Sequence, residues 1–253
     1  MRQEEKAMDG PEDGQEAAEA RTTDRDAEPP QTADRDAEPP QTADRLAGAA
    51  PDSPTCFPRT GARNLLLVAT GSISAAYLPA SLTWLRLTYP QICTRVVVTR
   101  SAERFVSREA LSAITGNEVC PDTWPQGPRA EALHVEWGQW AHATVVFPAT
   151  YHFVARLALG LADSPALLAV QCGRGPVGIA PALPPGGWES PAMAGHVAAL
   201  RRRPRTVVAD PLPARSWTTG RDDAWRTPPL GTVLTMVDRH QDQPPAPSAT
   251  VNR

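Results

Sequence analysis

Leu65-Leu-Leu-Val-Ala-Thr-Gly-Ser-Ile-Ser74 is the stretch from which the fold can be read. Five apolar residues in succession, with no polar alternation, describe a strand buried on both faces, as in a parallel sheet. The run stops at Thr70-Gly71, and from Ile73 to Leu87 apolar residues fall at helical spacing, with Pro79 in an early turn. The same alternation continues outward. Arg95-Val-Val-Val-Thr99 is predicted as a second strand, after which Ser101 stands where it can cap a helix carrying Phe105, Val106, Leu111 and Ile114. Thr144-Val-Val-Phe147 and Leu167-Leu-Ala-Val170 are predicted as further strands, with a helix over 152–162 between them. Arg205-Thr-Val-Val-Ala209 reads as another strand, preceded by a helix over 192–202. Strands alternating with helices predict an α/β fold: a Rossmann-like three-layer sandwich around a mostly parallel sheet.

The stretch before this unit differs in kind. Residues 1–60 hold no Val or Ile and carry 15 acidic against 7 basic side chains, net −8; the remainder carries 13 acidic and 18 basic, net +5. Thr22-Thr-Asp-Arg-Asp-Ala-Glu-Pro-Pro-Gln31 is nearly duplicated by Thr32-Ala-Asp-Arg-Asp-Ala-Glu-Pro-Pro-Gln41, and Thr42-Ala-Asp-Arg45 begins a third copy. A ten-residue acidic repeat without large apolar side chains cannot bury enough surface to offset the entropy of ordering. Residues 1–60 are therefore expected to be a disordered low-complexity leader and 241–253, with Pro-Pro-Ala-Pro, a disordered tail. The folded domain is assigned to 61–240.

Composition excludes several classes of function. The apolar runs Leu65–Ala69 and Ala143–Phe147 are far short of the roughly 20 residues that cross a bilayer. Arg2, Glu4, Glu5 and Lys6 at the start leave no room for the apolar segment of a secretory signal, so a cytoplasmic protein with no membrane partner is expected. Cys56, Cys93, Cys120 and Cys172 lie far apart with no C-x-x-C pair, which argues against a metal site or a disulfide framework and for reduced, structural cysteines. The basic excess beyond residue 60 is modest and scattered, which argues against nucleic acid.

In a parallel α/β sheet, ligands bind beyond the carboxyl ends of the strands, near the point where strand order reverses. Three loops are candidates. In Thr70-Gly-Ser-Ile-Ser74, Gly71 permits close backbone approach, Ser72 and Ser74 supply hydroxyls, and the following helix start favours a phosphate, although neither a full G-x-G-x-x-G nor a P-loop lysine is present. In Phe147-Pro-Ala-Thr-Tyr-His-Phe153, Pro148 ends the strand, and Ala149 and Thr150 lead into a helix. Pro181-Ala-Leu-Pro-Pro-Gly-Gly-Trp188 is a third loop, closed by a Trp that by itself reads as an anchoring aromatic.

Taken together, these motifs resemble those of the homo-oligomeric flavin-containing cysteine decarboxylases: Val68-Ala-Thr-Gly-Ser-Ile-Ser74, a histidine upstream of a strand, a Pro-Ala-Ser-Ala-Asn-Thr-like loop and a Pro-x-Met-Asn-x-x-Met-Trp-like loop. His134 stands fourteen residues before Pro148, and Pro181 and Trp188 keep the family's separation. The resemblance covers Arg63 to Arg239. It departs at His152, where the family has Asn, at Leu183-Pro184 in place of Met-Asn, and at Gly187 in place of the later Met. Pro211-Leu-Pro-Ala-Arg-Ser-Trp-Thr-Thr-Gly-Arg-Asp-Asp-Ala-Trp225 resembles the substrate-clamping hairpin of the lantibiotic peptidyl-cysteine decarboxylase branch and contains no cysteine. The coenzyme A branch uses a cysteine there to return electrons to its product.

The resemblance implies a flavin cofactor, FMN or FAD, and oxidative decarboxylation of the C-terminal cysteine of a lanthipeptide precursor, giving an enethiol for an aminovinyl-cysteine ring. It also implies trimers assembled into dodecamers, and the acidic leader could contact other enzymes of the same biosynthesis. His134 is implied as general base for the thiol; imidazole is the side chain that titrates near neutrality. Gly71, Ser72, Ser74, Ser101, Pro148, Ala149, Thr150 and His152 are implied around the flavin, and Pro181, Leu183, Trp188, Arg215, Gly220 and Arg221 around the substrate. Two readings stay open for Ser101, flavin phosphate donor or helix cap, and for His152, flavin partner or helix-start residue. Arg215, Arg221 and Arg226 can pair with a terminal carboxylate or remain solvated loop charges. His142 and His196 read as structural. Alternatives are a small-molecule phosphopantothenoylcysteine decarboxylase and an inactive flavoprotein-like regulatory subunit.

Overall fold

The computed structural model describes residues 64–241; the expected leader and tail lie outside the described residues, except for Gln241, which ends a helix. Six strands, β1 (Asn64–Ala69), β2 (Cys93–Val98), β3 (Val119–Pro121), β4 (Ala143–Ala149), β5 (Val177–Pro181) and β6 (Thr206–Val208), form one parallel sheet ordered β3-β2-β1-β4-β5-β6. Among the described residues seven α-helices accompany it: α1 (Leu78–Thr88), α2 (Arg108–Thr115), α3 (Leu133–Trp140), α4 (Tyr151–Ala158), α5 (Pro165–Cys172), α6 (Pro191–Arg201) and α7 (Leu230–Gln241). A short hairpin, β7 (Leu212–Ala214) and β8 (Ala224–Arg226), follows β6.

The alternation of side chains along β1 divides the core in two. Leu65, Leu67 and Ala69 join α1, α2 and α7 through Leu82, Leu85, Leu111, Val233 and Val237. Leu66 and Val68 join α3 to α6 through Trp137, Phe153, Leu157, Leu167, Met193 and Val197. Because helices cover both faces, the central strand has to be apolar at every position, which is the Rossmann-like three-layer arrangement expected from its sequence.

Three local expectations are corrected. Leu167–Val170 lies within helix α5, not a strand: Ser164 accepts the Leu167 N–H (3.4 Å) as N-cap and Pro165 occupies the first turn. A four-residue apolar run suits a buried helix as well as a buried strand. The strand of this region is β5, Val-Gly-Ile-Ala-Pro, whose glycine and proline hid it; at Gly178 a Cβ would stand 2.6 Å from Val237 Cγ2, so α7 packs there because no side chain intervenes. The helix expected from Ile73 to Leu87 is a 3-10 turn over Ile73–Tyr77 followed by α1. The helix expected after Ser101 is likewise divided, into a 3-10 turn at Ala102–Arg104 and α2, which Ser107 caps through the Ala110 N–H (3.3 Å).

Among the described residues Cys93, Cys120 and Cys172 are free; Cys93 and Cys172 are exposed and Cys120 half-buried, so a structural role through burial does not hold for the first two. Cys56 lies outside the described residues. No helix among the described residues is long and apolar enough to cross a membrane.

Candidate functional site

Strand order reverses between β1 and β4, so the loops after these strands flank the switch point. Thr70, 1% exposed, fastens them together. Its N–H and its hydroxyl both donate to the Pro148 carbonyl (3.1 and 2.8 Å), and its hydroxyl oxygen accepts the Thr150 N–H (2.8 Å). The peptide bond between Phe147 and Pro148 is cis. Thr150 in turn caps α4 by accepting the Phe153 N–H (3.4 Å). The loop after β2 closes in beside them, because a Cβ on Gly71 would lie 2.4 Å from Ser101 Cβ and 2.7 Å from the Ser101 carbonyl carbon. The close approach that Gly71 allows is thus first of all to the chain itself.

Several predicted cofactor residues are therefore neighbours. Ser72 caps the 3-10 turn, its hydroxyl accepting the Ser74 N–H (3.1 Å) and keeping its own proton to donate. Ser101 makes no side-chain cap; its hydroxyl lies 3.2 Å from that of Thr99, which accepts the Ala102 N–H (3.3 Å) instead. The helix-cap reading of Ser101 is corrected on that ground. Pro148 and Ala149 are buried at the end of β4, while His152 is exposed at the second position of α4.

His134 is the second residue of α3. The chain leaves β3 at the carboxyl edge of the sheet and must return to the amino edge to begin β4, so α3 starts on the same edge as the switch point. Its Nδ1 is buried without a hydrogen-bond partner among the described residues. The ring is held by Trp124, edge-on at 5.9 Å between centroids, and the Trp124 indole donates to the Asp163 carbonyl (3.3 Å). Asp122, two residues earlier, accepts the Ala166 N–H (2.8 Å) at the start of α5. Burial pushes the Asp122 carboxyl above the usual aspartate range, opposed by its hydrogen bonds with Ala166 and Ser164.

The loop after β5 and the hairpin form a second group. Pro181 and Leu183 are buried, and Trp188 packs on the core. Leu183 and Trp225 exchange backbone hydrogen bonds (2.9 and 3.0 Å), joining the loop to β8. The Trp225 indole N–H donates to the Glu189 carboxylate (3.0 and 3.2 Å), and its ring centroid lies 6.5 Å from that of Trp188. Tyr151 and Ser190 hydroxyls, 3.0 Å apart, link this loop to the start of α4. The hairpin presents Arg215, Arg221 and Arg226, all exposed, and none forms an ion pair among the described residues. Gly220 has φ +69°, which the turn between the two arginines requires.

Thr70, Asp122, Trp124, Tyr151, Glu189 and Trp225 escaped the sequence reading as parts of the site. Thr70 had a signal, a hydroxyl at the end of a buried strand; the others act through neighbours distant in sequence. His142, read as structural, accepts the Asn64 N–H on Nδ1 (3.1 Å), and His196 lies half-buried in α6. A cavity of about 290 Å³ lies at the opposite edge, where β5 and β6 begin. Its Arg203 guanidinium is engaged by Gln171 (2.8 Å) and by the Leu157 carbonyl (2.7 Å) at the end of α4.

The family described as Flavoprotein matches residues 58–238. The coenzyme A biosynthesis bifunctional protein CoaBC of Mycobacterium bovis is 37% identical over 155 residues, 59% of this chain and 36% of its own length. The chain thus spans little more than a third of that relative. The cypemycin cysteine dehydrogenase (decarboxylating) of a Streptomyces species is 35% identical over 140 residues, 55% of this chain and 72% of its own length. The crystal structure of the FMN-dependent cysteine decarboxylase SpaF superposes with a TM-score of 0.59 at 28% identity, covering 70% of this chain and 97% of that one.

Proposed function

The chain belongs to the Flavoprotein family, and from that premise we propose that it is a flavin-dependent decarboxylase acting on the C-terminal cysteine of a lanthipeptide precursor. Its cofactor is a flavin. The residues present fit one: hydroxyl-bearing loops meet at the switch point, and His134 keeps a buried, unpartnered imidazole nitrogen on the same edge. Gly71, Ser72, Ser74, Ser101, Pro148, Ala149, Thr150 and His152 would hold it, chiefly through neutral hydroxyl donors and close backbone. Bound flavin supplies a two-electron acceptor for the thiol-bearing carbon, which prepares the neighbouring carboxylate to leave as carbon dioxide.

His134 takes the thiol proton in this reading, and the Trp124 ring fixes its orientation. Arg215, Arg221 and Arg226 offer guanidinium forks to the peptide's terminal carboxylate. Pro181, Leu183 and Trp188 wall the substrate's other side. The observation that carries the peptide reading is the hairpin, docked on the Leu183–Trp188 loop with unpaired arginines and no cysteine between Asp210 and Pro228. Without such a cysteine, the oxidised enethiol would be released. Exposed Ile73 and Tyr77, at 52% and 60%, flank the site and support its completion in a homo-oligomer.

Similarity to CoaBC favours a second reading, decarboxylation of phosphopantothenoylcysteine. Competition decides between them. The flavin-loaded protein is offered a peptide ending in Cys together with phosphopantothenoylcysteine, and both are followed by mass spectrometry. Loss of carbon dioxide and two hydrogens from the peptide alone is expected; turnover of the small molecule alone overturns the proposal.

A further inference from the structure

We propose that Trp225 and Glu189 form a latch that holds the hairpin against the loop after β5 and thereby sets the affinity for the substrate's end. The link to substrate rests on the peptide-decarboxylase reading; the latch itself does not. A two-stranded ribbon of three residues per strand is marginal by itself, so its position depends on what docks it. Trp225 does so in three ways. Its backbone pairs with Leu183 on the edge of β8 that β7 leaves open, its indole N–H meets both oxygens of Glu189, and its ring packs near Trp188.

A hydrogen bond from a neutral donor to a carboxylate is among the stronger side-chain contacts. The far end of the hairpin is bonded within itself. Ser216 N–H donates to the Arg221 carbonyl (2.7 Å), Gly220 N–H to the Ser216 carbonyl (2.8 Å), and the Thr219 hydroxyl to Asp223 (3.0 Å). The tip therefore moves as a unit, and release at the root swings Arg215 and Arg221 away together. Cleavage after either arginine requires the flanking chain to leave its docked position and enter the protease cleft extended, which the Leu183–Trp225 pairing prevents while the latch is shut, so opening can be read without flavin or substrate.

Limited trypsin digestion of the full chain, with cleavage after Arg215 and Arg221 timed by mass spectrometry, tests the latch. Trp225→Phe keeps a ring and loses the donor, Glu189→Ala loses the acceptor, and Glu189→Gln keeps an acceptor oxygen. When reclosing outpaces cleavage, the rate follows the open population. Each of the first two variants should cleave roughly five- to tenfold faster, the scale of one solvent-exposed hydrogen bond with its ordinary net worth. The double variant should be no faster than the faster single one, and Glu189→Gln should stay near the wild-type rate. Unchanged rates, or single effects that multiply in the double variant, overturn the latch. On the wild type and Trp225→Phe, KM for a Cys-terminal peptide should rise by a similar factor with kcat little changed. An unmoved KM overturns the role in substrate binding, whereas faster cleavage in a protein that ignores every peptide leaves the latch standing and removes the peptide reading.

Discussion

Replacing Thr70 by valine keeps shape and removes one hydroxyl from the switch point. That hydroxyl donates to the Pro148 carbonyl at 2.8 Å and accepts the Thr150 N–H at 2.8 Å. The carbonyl keeps a partner, because the Thr70 N–H also reaches it at 3.1 Å. The Thr150 N–H loses its acceptor at a site where Thr70 is 1% exposed and water cannot readily substitute. An unsatisfied buried donor costs about 1–3 kcal/mol, and the added methyl regains about 0.8 kcal/mol. The net loss should be about 1 kcal/mol, which lowers Tm by roughly 2–4 °C in a domain of this size. Thermal unfolding is the assay, with Thr70→Ser as its partner variant, since serine retains the hydroxyl and gives up only the methyl. Flavin affinity should fall in the valine variant and hold in the serine one, because only the former frees the loop after β4. If valine unfolds within a degree of wild type while serine is the more damaged, the methyl and not the hydroxyl joins the loops, and the reasoning fails.

Gly71→Ala should destabilise by about 2–3 kcal/mol by overpacking, and Ser101→Gly should restore only part, because the Ser101 carbonyl carbon still lies 2.7 Å from the new Cβ; full restoration in denaturant unfolding would refute the backbone clash. Burial raises the Asp122 carboxyl, so the folded protein takes up its proton before the unfolded chain as pH falls, and the burial penalty present above that window is relieved within it. Asp122→Asn keeps an acceptor for the Ala166 N–H and lacks this titration; its stability relative to wild type should therefore decline as pH drops through the window, and a pH-independent difference would be contrary. His134→Asn should retain flavin and assembly while carbon dioxide release drops at least about a hundredfold, and unchanged turnover rules out His134 as the base.

Much of the frame was legible because burial on both faces leaves a plain mark. The strands expected at Leu65–Ala69 and Arg95–Thr99 could be read from Leu65–Ala69 and Val96–Val98, since helices on either side require apolar residues at successive positions there. Leu167–Val170 was misread because four apolar residues contain no period that separates strand from helix, and the deciding signals, Ser164 and Pro165, lie outside the run. β5 was missed because Gly178 is there to let α7 approach, a reason found in another element. The predicted loops after β1 and β4 do meet, but Thr70, which joins them, belongs to a pairing seventy-eight residues apart. Trp225 carried no local signal, since its partners Leu183 and Glu189 are supplied by a different loop.

The most direct measurement is an anaerobic titration of the flavin-loaded protein with a peptide ending in cysteine, following the visible absorption of the flavin. The account predicts bleaching in proportion to peptide added, with one carbon dioxide released for each flavin reduced, and no bleaching by the same peptide ending in serine. A flavin that stays oxidised while the peptide is bound, or a protein that takes up no flavin after reconstitution, would contradict it.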